Sequence, residues 1–196
     1  MIEEHPIKPF LPSQAVLLFL GSFPPKKERW TMNFFYPNWQ NDFWRIIGLA
    51  FFQDKNHFLN LEAKMFKEYE IKAFLTQKKI ALYDSAEKII RRKNNASDQF
   101  LELVEPINLQ NYLIRLPHCQ TIAATGQKAL QIILQQISRF SNILPTDLKM
   151  GEFLNFEFEQ RQLRLYRMPS SSRAFPLSLV NKTIFYQKMF NEIKVQ

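Results

Sequence analysis

Val16–Leu20 (VLLFL) is an unbroken apolar run, the pattern of a strand covered on both faces. Two more short β-rich runs follow: Ile80–Tyr83 (IALY) after the basic pair Lys78-Lys79, and Gln120–Ala124 (QTIAA) after Pro117. Leu163–Met168 (LRLYRM) alternates apolar and polar. Phe153–Phe158 (FLNFEF) alternates as well and joins it across Gln160-Arg161-Gln162, which predicts a hairpin at a sheet edge. Helical spacing fills the intervals. Asp42–Phe51 puts Phe43, Ile46, Ile47 and Ala50 on one face, and Leu61–Lys78 does so with Leu61, Met65, Tyr69 and Ala73. Leu109–Leu116 predicts a shorter helix. Gln127–Phe140 aligns Leu130, Ile133, Leu134 and Ile137, and Asn181–Ile193 aligns Phe185, Met189 and Ile193, with Ser178 or Asn181 as its cap. Strands alternating with helices predict an α/β fold built on a mainly parallel sheet with helices on both sides. Such sheets bind ligands beyond the carboxyl ends of their strands, so chemistry is expected in the residues just after each strand.

Composition narrows the picture. The chain has 196 residues, of which 46% are hydrophobic and 22% charged, which excludes a disordered chain. It carries no repeat, low-complexity tract or Gly/Ser linker, so a single domain over 1–196 is expected. Cys119 is the only cysteine, which excludes an internal disulfide and a four-cysteine cluster. His5, His57 and His118 have no metal-ligand spacing, so neither a metal nor a cofactor is expected. The start, MIEEHPIKPFLPSQ, lacks the basic and apolar regions of a signal peptide. The longest apolar run, Ala15–Leu20, is far short of the roughly 20 residues of a membrane span. A soluble, cytoplasmic protein with no membrane association is the expectation. Lys+Arg 26 against Asp+Glu 18 gives a formal charge of +8, which points to an anionic partner, nucleic acid first; solubility alone is the plainer alternative.

Each strand end then offers candidates. Gly21 ends the first run, and only four glycines occur in the chain, so it marks a tight turn or a close ligand approach. The stretch Asn33–Asn41 has no regular periodicity yet holds four aromatics and three asparagines. Rings to stack and amides to bond an edge are a sensible way to hold a planar heterocycle; a lid packed on the core is the alternative. Asp84 ends the second run. Asp84 and Glu87 match the spacing of a capping box, or else the carboxylate points into a cleft. Thr125-Gly126-Gln127-Lys128 reads as strand, glycine turn and helix start, where free N–H groups favour a phosphate. Pro169-Ser170-Ser171-Ser172-Arg173 supplies hydroxyls and a guanidinium suited to phosphate contacts, or a solvated loop.

Taken together, and in this order and spacing, these residues resemble the uracil-DNA glycosylase superfamily. The likeness is nearest to the hypoxanthine-DNA glycosylase and mismatch-specific uracil-DNA glycosylase branches, and runs from about Ala15 to Lys188. Leu20-Gly21-Ser22-Phe23-Pro24 looks like the family's strand-end Gly-x-x-Pro loop. Phe35-Tyr36-Pro37-Asn38-Trp39-Gln40-Asn41-Asp42-Phe43-Trp44 is similar to its aromatic–His-Pro-x-Asn-x-Phe-Trp signature, and Met168-Pro169-Ser170-Ser171-Ser172 to its Pro-Ser loop. Leu82-Tyr83-Asp84 and Thr125-Gly126-Gln127-Lys128-Ala129 add to the likeness. The resemblance implies a three-layer α/β/α sandwich with about four strands in its central sheet, and a base flipped into a strand-end pocket. By position, Gly21, Ser22 and Phe23 with Pro24 would floor the pocket, Phe35 or Tyr36 would stack on the base, and Asp84 would read its edge. Gly126, Gln127 and Lys128 would face a phosphate, and Pro169, Ser170, Ser171, Ser172 and Arg173 would press on the DNA backbone. The departures are specific. Phe23 stands where many branches place an Asp or Asn to position water, which leaves that task to Asn41. Asn38 and Trp39 replace the signature His-Pro. Asp84 replaces the usual base-reading Asn, and so would favour donors on the base edge, or carry a proton to meet a carbonyl.

Three functions fit. The first is a monofunctional DNA glycosylase of base excision repair, acting as a monomer on a deaminated or damaged base, uracil or hypoxanthine first, and leaving an abasic site. The second is a catalytically weak or inactive DNA-binding, damage-sensing module on the same fold. The third is an enzyme on free nucleosides, nucleotides or another small anion. Arg91, Arg92, Lys93 and Arg173 would line the cleft mouth if DNA binds; Arg91-Arg92-Lys93 could equally be a solvated helix end.

Overall fold

In the computed structural model, which describes residues 1–92, 100–141 and 148–195, the unbroken apolar runs become the inner strands of a sheet. In chain order the strands are β1 (Ile2–Glu4), β2 (Leu17–Gly21), β3 (Leu59–Asn60), β4 (Met65–Phe66), β5 (Ile80–Asp84), β6 (Ala86–Arg91), β7 (Leu101–Pro106), β8 (Thr121–Thr125), β9 (Phe153–Phe158) and β10 (Arg161–Met168). The α-helices are α1 (Phe43–Phe52), α2 (Glu68–Gln77), α3 (Leu109–Arg115), α4 (Gln127–Ile137) and α5 (Leu179–Glu192).

The main sheet has the order β5-β2-β8-β10-β9. Its first four strands are parallel and β9 is antiparallel, so the sheet has five strands rather than about four. The fifth is the edge strand of the expected hairpin. Every residue of β2, β5 and β8 is buried, which is why these strands read as continuous apolar runs; β9 alternates because only one of its faces is covered. Register levels the strand ends. Gly21 lies opposite Asp84, Leu20 opposite Ala124, and Met168 opposite Thr125. The four following loops therefore leave from one end of the sheet. Phe19 packs on Phe43 of α1 and on Tyr186 and Phe190 of α5, with ring centroids 5.3, 6.0 and 6.1 Å away, while α4 packs on β8 and α3 on α4. Ser178 is the cap of α5, its hydroxyl accepting from the Asn181 N–H.

Three expectations are corrected. The helix predicted from Leu61 starts at Glu68, because residues 59–66 form the β3–β4 hairpin, with Lys64 at φ +51°. No helix follows Asp84, so Asp84 and Glu87 are not a capping box: residues 86–91 are β6. Arg91 and Arg92 consequently end a strand and not a helix, and Lys93 lies outside the described residues. β6 is the centre of a second, antiparallel sheet, β1-β6-β7, which the hydrophobic pattern did not reveal. This sheet matters for the site because it holds the N-terminal segment in place. The His5 N–H donates to the Glu87 carbonyl (2.8 Å), and Phe10 and Leu82 exchange main-chain bonds (2.9 and 3.0 Å) along the outer edge of β5.

Candidate active site at the strand ends

Gly21 closes β2 against Asp84, its register partner on β5. A Cβ at position 21 would overlap Asp84 Oδ1 and stand 3.3 Å from the Tyr36 hydroxyl, so glycine is required here by close approach. Tyr36 reaches this point from the aromatic loop with φ +52°. Its ring lies flat on Phe43 (3.8 Å, 12°), and its hydroxyl is bonded to Thr125 Oγ1 at the end of β8 (2.8 Å). The next residue, Gly126, has φ +120° and opens α4, and a Cβ there would meet Ser170 at 3.5 Å. Loops from all four parallel strands thus meet at Gly21, Asp84, Thr125-Gly126 and Ser170, with Tyr36 among them.

Asn41 sits at the start of α1, half-buried. Its Oδ1 accepts from the Phe43 N–H (2.9 Å), an Asx turn that fixes the amide orientation as the chain enters α1. Arg45 reaches back to the carbonyls of Trp39 (2.7 Å) and Asn41 (2.9 Å), with its guanidinium 5.0 Å from the Trp39 ring centre. Burial lowers the pKa of Arg45 from its ordinary value, and the Arg173 charge lowers it further. Asp42, next to Asn41, ties this helix start to the serine loop. Its N–H donates to the Ser171 carbonyl (2.9 Å) and its Oδ2 accepts from Lys182 of α5 (2.9 Å). Lys182 is fully buried and also donates to the Ser172 carbonyl (2.7 Å), while Arg173 lies 3.6 Å from Asp42 Oδ1. Lys182 and Arg173 therefore flank one carboxylate beside Asn41, and Arg45 is near enough to feel its charge.

His5 holds the far side of Asp84. Its Nε2 is 2.9 Å from Asp84 Oδ2 and its Nδ1 is 2.8 Å from the Ile7 carbonyl. The imidazole is 1% exposed, wedged between Tyr83 (4.6 Å) and the edge of Phe23 (5.1 Å). Phe23 joins the small apolar cluster of Ala86, Ile89, Leu101 and Ile132. Phe35 is buried against Phe34, Tyr83 and His5, so of the two aromatic candidates only Tyr36 borders Gly21. Arg91, only 2% exposed, pairs with Glu3 and donates to the Pro24 carbonyl (3.0 Å); it braces the first loop from within and lines no cleft mouth. Arg92 is exposed and pairs with Glu102.

Behind His5 a cleft of about 430 Å³ opens between β1, β6 and α3. Its titratable lining sets Glu4, Glu87 and Glu105 against Lys88 and Arg115, with His5 and Tyr112 also on the wall. Within it Glu87 accepts from both Tyr83 (2.8 Å) and Tyr112 (2.9 Å). Burial first, and these bonds second, push both phenols well above their ordinary pKa, so they remain donors to Glu87. Among the described residues no cluster of His, Cys, Asp or Glu could hold a metal, and no helix is long and apolar enough to cross a membrane.

No protein-family model and no curated protein matches the chain. A solved structure does. The chain is similar to the solution NMR structure of a "putative Uracil DNA glycosylase" from Methanosarcina acetivorans, at 21% identity over 99% of both chains, with a TM-score of 0.63. At that identity the likeness is one of fold.

Most of the residues picked from the sequence lie at this end of the sheet. Gly21, Tyr36, Asp84, Gly126 and Ser170 come together directly, and Asn41, Ser171, Ser172 and Arg173 through Asp42 and Lys182. Gln127 and Lys128 form the first turn of α4, exposed and half-buried respectively. Pro169 is buried, its carbonyl accepting from the Tyr186 hydroxyl (3.0 Å). Ser22 is half-buried beside Gly21. From the sequence, His5 and Lys182 have no place among the candidates, and Asp42 and Thr125 have no role of their own within their motifs. Their partners lie 79, 140 and 89 residues away in the chain (His5–Asp84, Asp42–Lys182, Tyr36–Thr125), and no local spacing announces them.

Proposed function

We propose that the protein is a monofunctional DNA glycosylase that hydrolyses the N-glycosidic bond of a deaminated or damaged base, uracil or hypoxanthine first. The observation that carries this is the convergence of Gly21, Tyr36 and Asp84 at the carboxyl ends of a parallel sheet. A fold shared end to end with a solved protein described as a "putative Uracil DNA glycosylase" supports it. The reading includes a single domain, helices on both faces of the sheet, and DNA as partner. The flipped base sits over Gly21 and Ser22, stacks beside Tyr36 and meets Asp84 with its edge. Asn41 orients a water. An amide is no strong base, and it need not be one where bond cleavage runs ahead of attack. The developing charges then need a preset field more than a strong nucleophile. The excess of cations around Asp42 suits the departing base anion and the flanking phosphates, with Gly126, Gln127 and Lys128 and the Ser170–Arg173 loop on the backbone.

Incubation with duplexes carrying uracil, hypoxanthine or xanthine, followed by alkaline cleavage, tests this. Asn41→Ala is expected to lower release by roughly 10²-fold or more while duplex binding changes little. Intact binding with no product from any duplex refutes the reading. One observation favours the second reading, a DNA-binding module without base release: Phe23 packs on His5 in an apolar cluster and offers nothing to position water.

A further inference from the structure

Two contacts of the His5 ring fix its protons. Nδ1 lies 2.8 Å from the Ile7 carbonyl oxygen, which carries no hydrogen, so the proton between them belongs to Nδ1. The Ile7 N–H also approaches this nitrogen (3.3 Å); were it the donor there, Nε2 would carry the ring proton and Asp84 would still be an acceptor at Oδ1. Nε2 lies 2.9 Å from Asp84 Oδ2, and one further proton must lie between these two atoms. It sits either on Nε2, giving an imidazolium–carboxylate pair, or on Oδ2, giving two neutral groups. The pair has zero net charge in both cases. In both cases Oδ1, the oxygen facing Gly21 and the Tyr36 hydroxyl, carries no hydrogen. The two options that an acid at position 84 leaves open thereby reduce to one.

We propose that His5 is a specificity-determining positioning residue that locks Asp84 as an acceptor-only reader, so that the site takes nucleobases presenting an N–H donor at the edge opposite Gly21. This deepens the glycosylase reading and rests on it. Uracil, hypoxanthine and xanthine each carry such a ring N–H, and methylation of that nitrogen removes it. A site built to bond a donor rejects the analogue lacking it, because its own polar group is left unpaired. His5 suits this task because β1 pairing with β6 and the Phe10–Leu82 bonds hold the N-terminal segment along β5, and because its ring is wedged between Tyr83 and Phe23.

The test compares full-length wild type, His5→Gln, Asp84→Asn and the double variant. The duplexes carry uracil, hypoxanthine or xanthine, or N3-methyluracil or N1-methylhypoxanthine. Wild type is expected to release the N-methyl bases at least about 100-fold more slowly than their parents. His5→Gln is expected to lower kcat on the parents by roughly tenfold or more, with KM for the duplex within about twofold, since the phosphate contacts lie elsewhere. The double variant is expected to match Asp84→Asn within about threefold, because the two residues act as one unit. Imidazole ¹⁵N NMR gives a readout independent of turnover: His5 is expected protonated at Nδ1. A His5 ring that exchanges freely between its two neutral tautomers overturns the inference, because nothing then holds Asp84, as do losses that multiply in the double variant or a parent-to-methyl ratio near one. Release by His5→Gln equal to wild type overturns this inference and leaves the glycosylase reading standing. No release by wild type from any duplex overturns both.

Discussion

Two aspartates are buried at this end of the sheet, and they look alike at first. The side chains of Asp42 and Asp84 are each 8% exposed, and each has a basic nitrogen 2.9 Å from its Oδ2. Their surroundings differ. Asp42 faces cations through both oxygens, Lys182 on one and Arg173 on the other, and its own N–H is bonded to Ser171. Everything Asp42 can offer is taken up in joining α1, α5 and the serine loop. Asp84 is held by His5 on one oxygen only, and the other lies against Gly21, in the space a Cβ would take, with no cation on it among the described residues. Burial and ion pairing do not by themselves mark a functional carboxylate. On the proposed reading, what separates the anchor Asp42 from the reader Asp84 is what the second oxygen meets.

The largest effect is expected from removing the anchor's inner cation. Lys182→Met leaves a buried carboxylate with only the exposed Arg173 beside it, which costs up to about 3–5 kcal/mol of stability. Denaturant unfolding measures this, and adding Asp42→Asn is expected to recover part of the loss. A cost near zero for Lys182→Met alone would mean that Asp42 is as reachable from solvent as a surface acid. The reader's surroundings respond differently. In Gly21→Ala the added methyl overlaps Asp84 Oδ1, and His5 blocks the retreat of that carboxylate. Overpacking of this kind costs about 1–3 kcal/mol, with base release falling further than stability explains. Gly21→Ala combined with Asp84→Ala relieves the overlap and is expected to regain the stability but not the activity. If the double variant stays as unstable as the single, the overlap lies elsewhere.

The contrast also shows what a sequence can announce. β2, β5 and β8 were legible because both of their faces are covered, so burial wrote itself into consecutive residues. Around α2 the same logic misled. Leu61, Met65, Tyr69 and Ala73 are spaced as a helical stripe, yet all four are exposed, and the buried set is Phe66, Ile71, Phe74 and Leu75. Periodicity showed that apolar residues recur, not which stripe faces inward. β6 was missed for a related reason. AEKIIR, coming after Asp84, fits a capped helix locally, and only pairing with the distant β1 and β7 makes it a strand. At the site, Gly21, Tyr36, Asn41 and Asp84 were picked because each stands at a strand end or in an aromatic loop whose composition is unusual. His5 and Lys182 were not, because a histidine near Pro6 and a lysine in an amphipathic helix look ordinary until the chain brings Asp84 and Asp42 to them.

The smallest effect on stability sharpens the comparison within Asp42 itself. Arg173 and Lys182 flank the same carboxylate, but the Arg173 side chain is 57% exposed and 3.6 Å away, while Lys182 is fully buried at 2.9 Å. An exposed pair of this kind contributes about 0–1 kcal/mol, because water and salt screen it and its side chain gives up entropy to form it. Arg173→Gln is therefore expected to leave the unfolding midpoint nearly unchanged. On the proposed function its consequence is for DNA binding. If the guanidinium turns from Asp42 to a phosphate on binding, one fewer counterion is released in the variant, and the slope of log K against log salt shrinks by about 0.9. Duplex binding measured across a salt series checks this. An unchanged slope together with a clear loss of stability would make Arg173 a second anchor of the same kind as Lys182. An altered slope at constant stability places the boundary between the protein's interior and its nucleic-acid face between the two oxygens of one carboxylate.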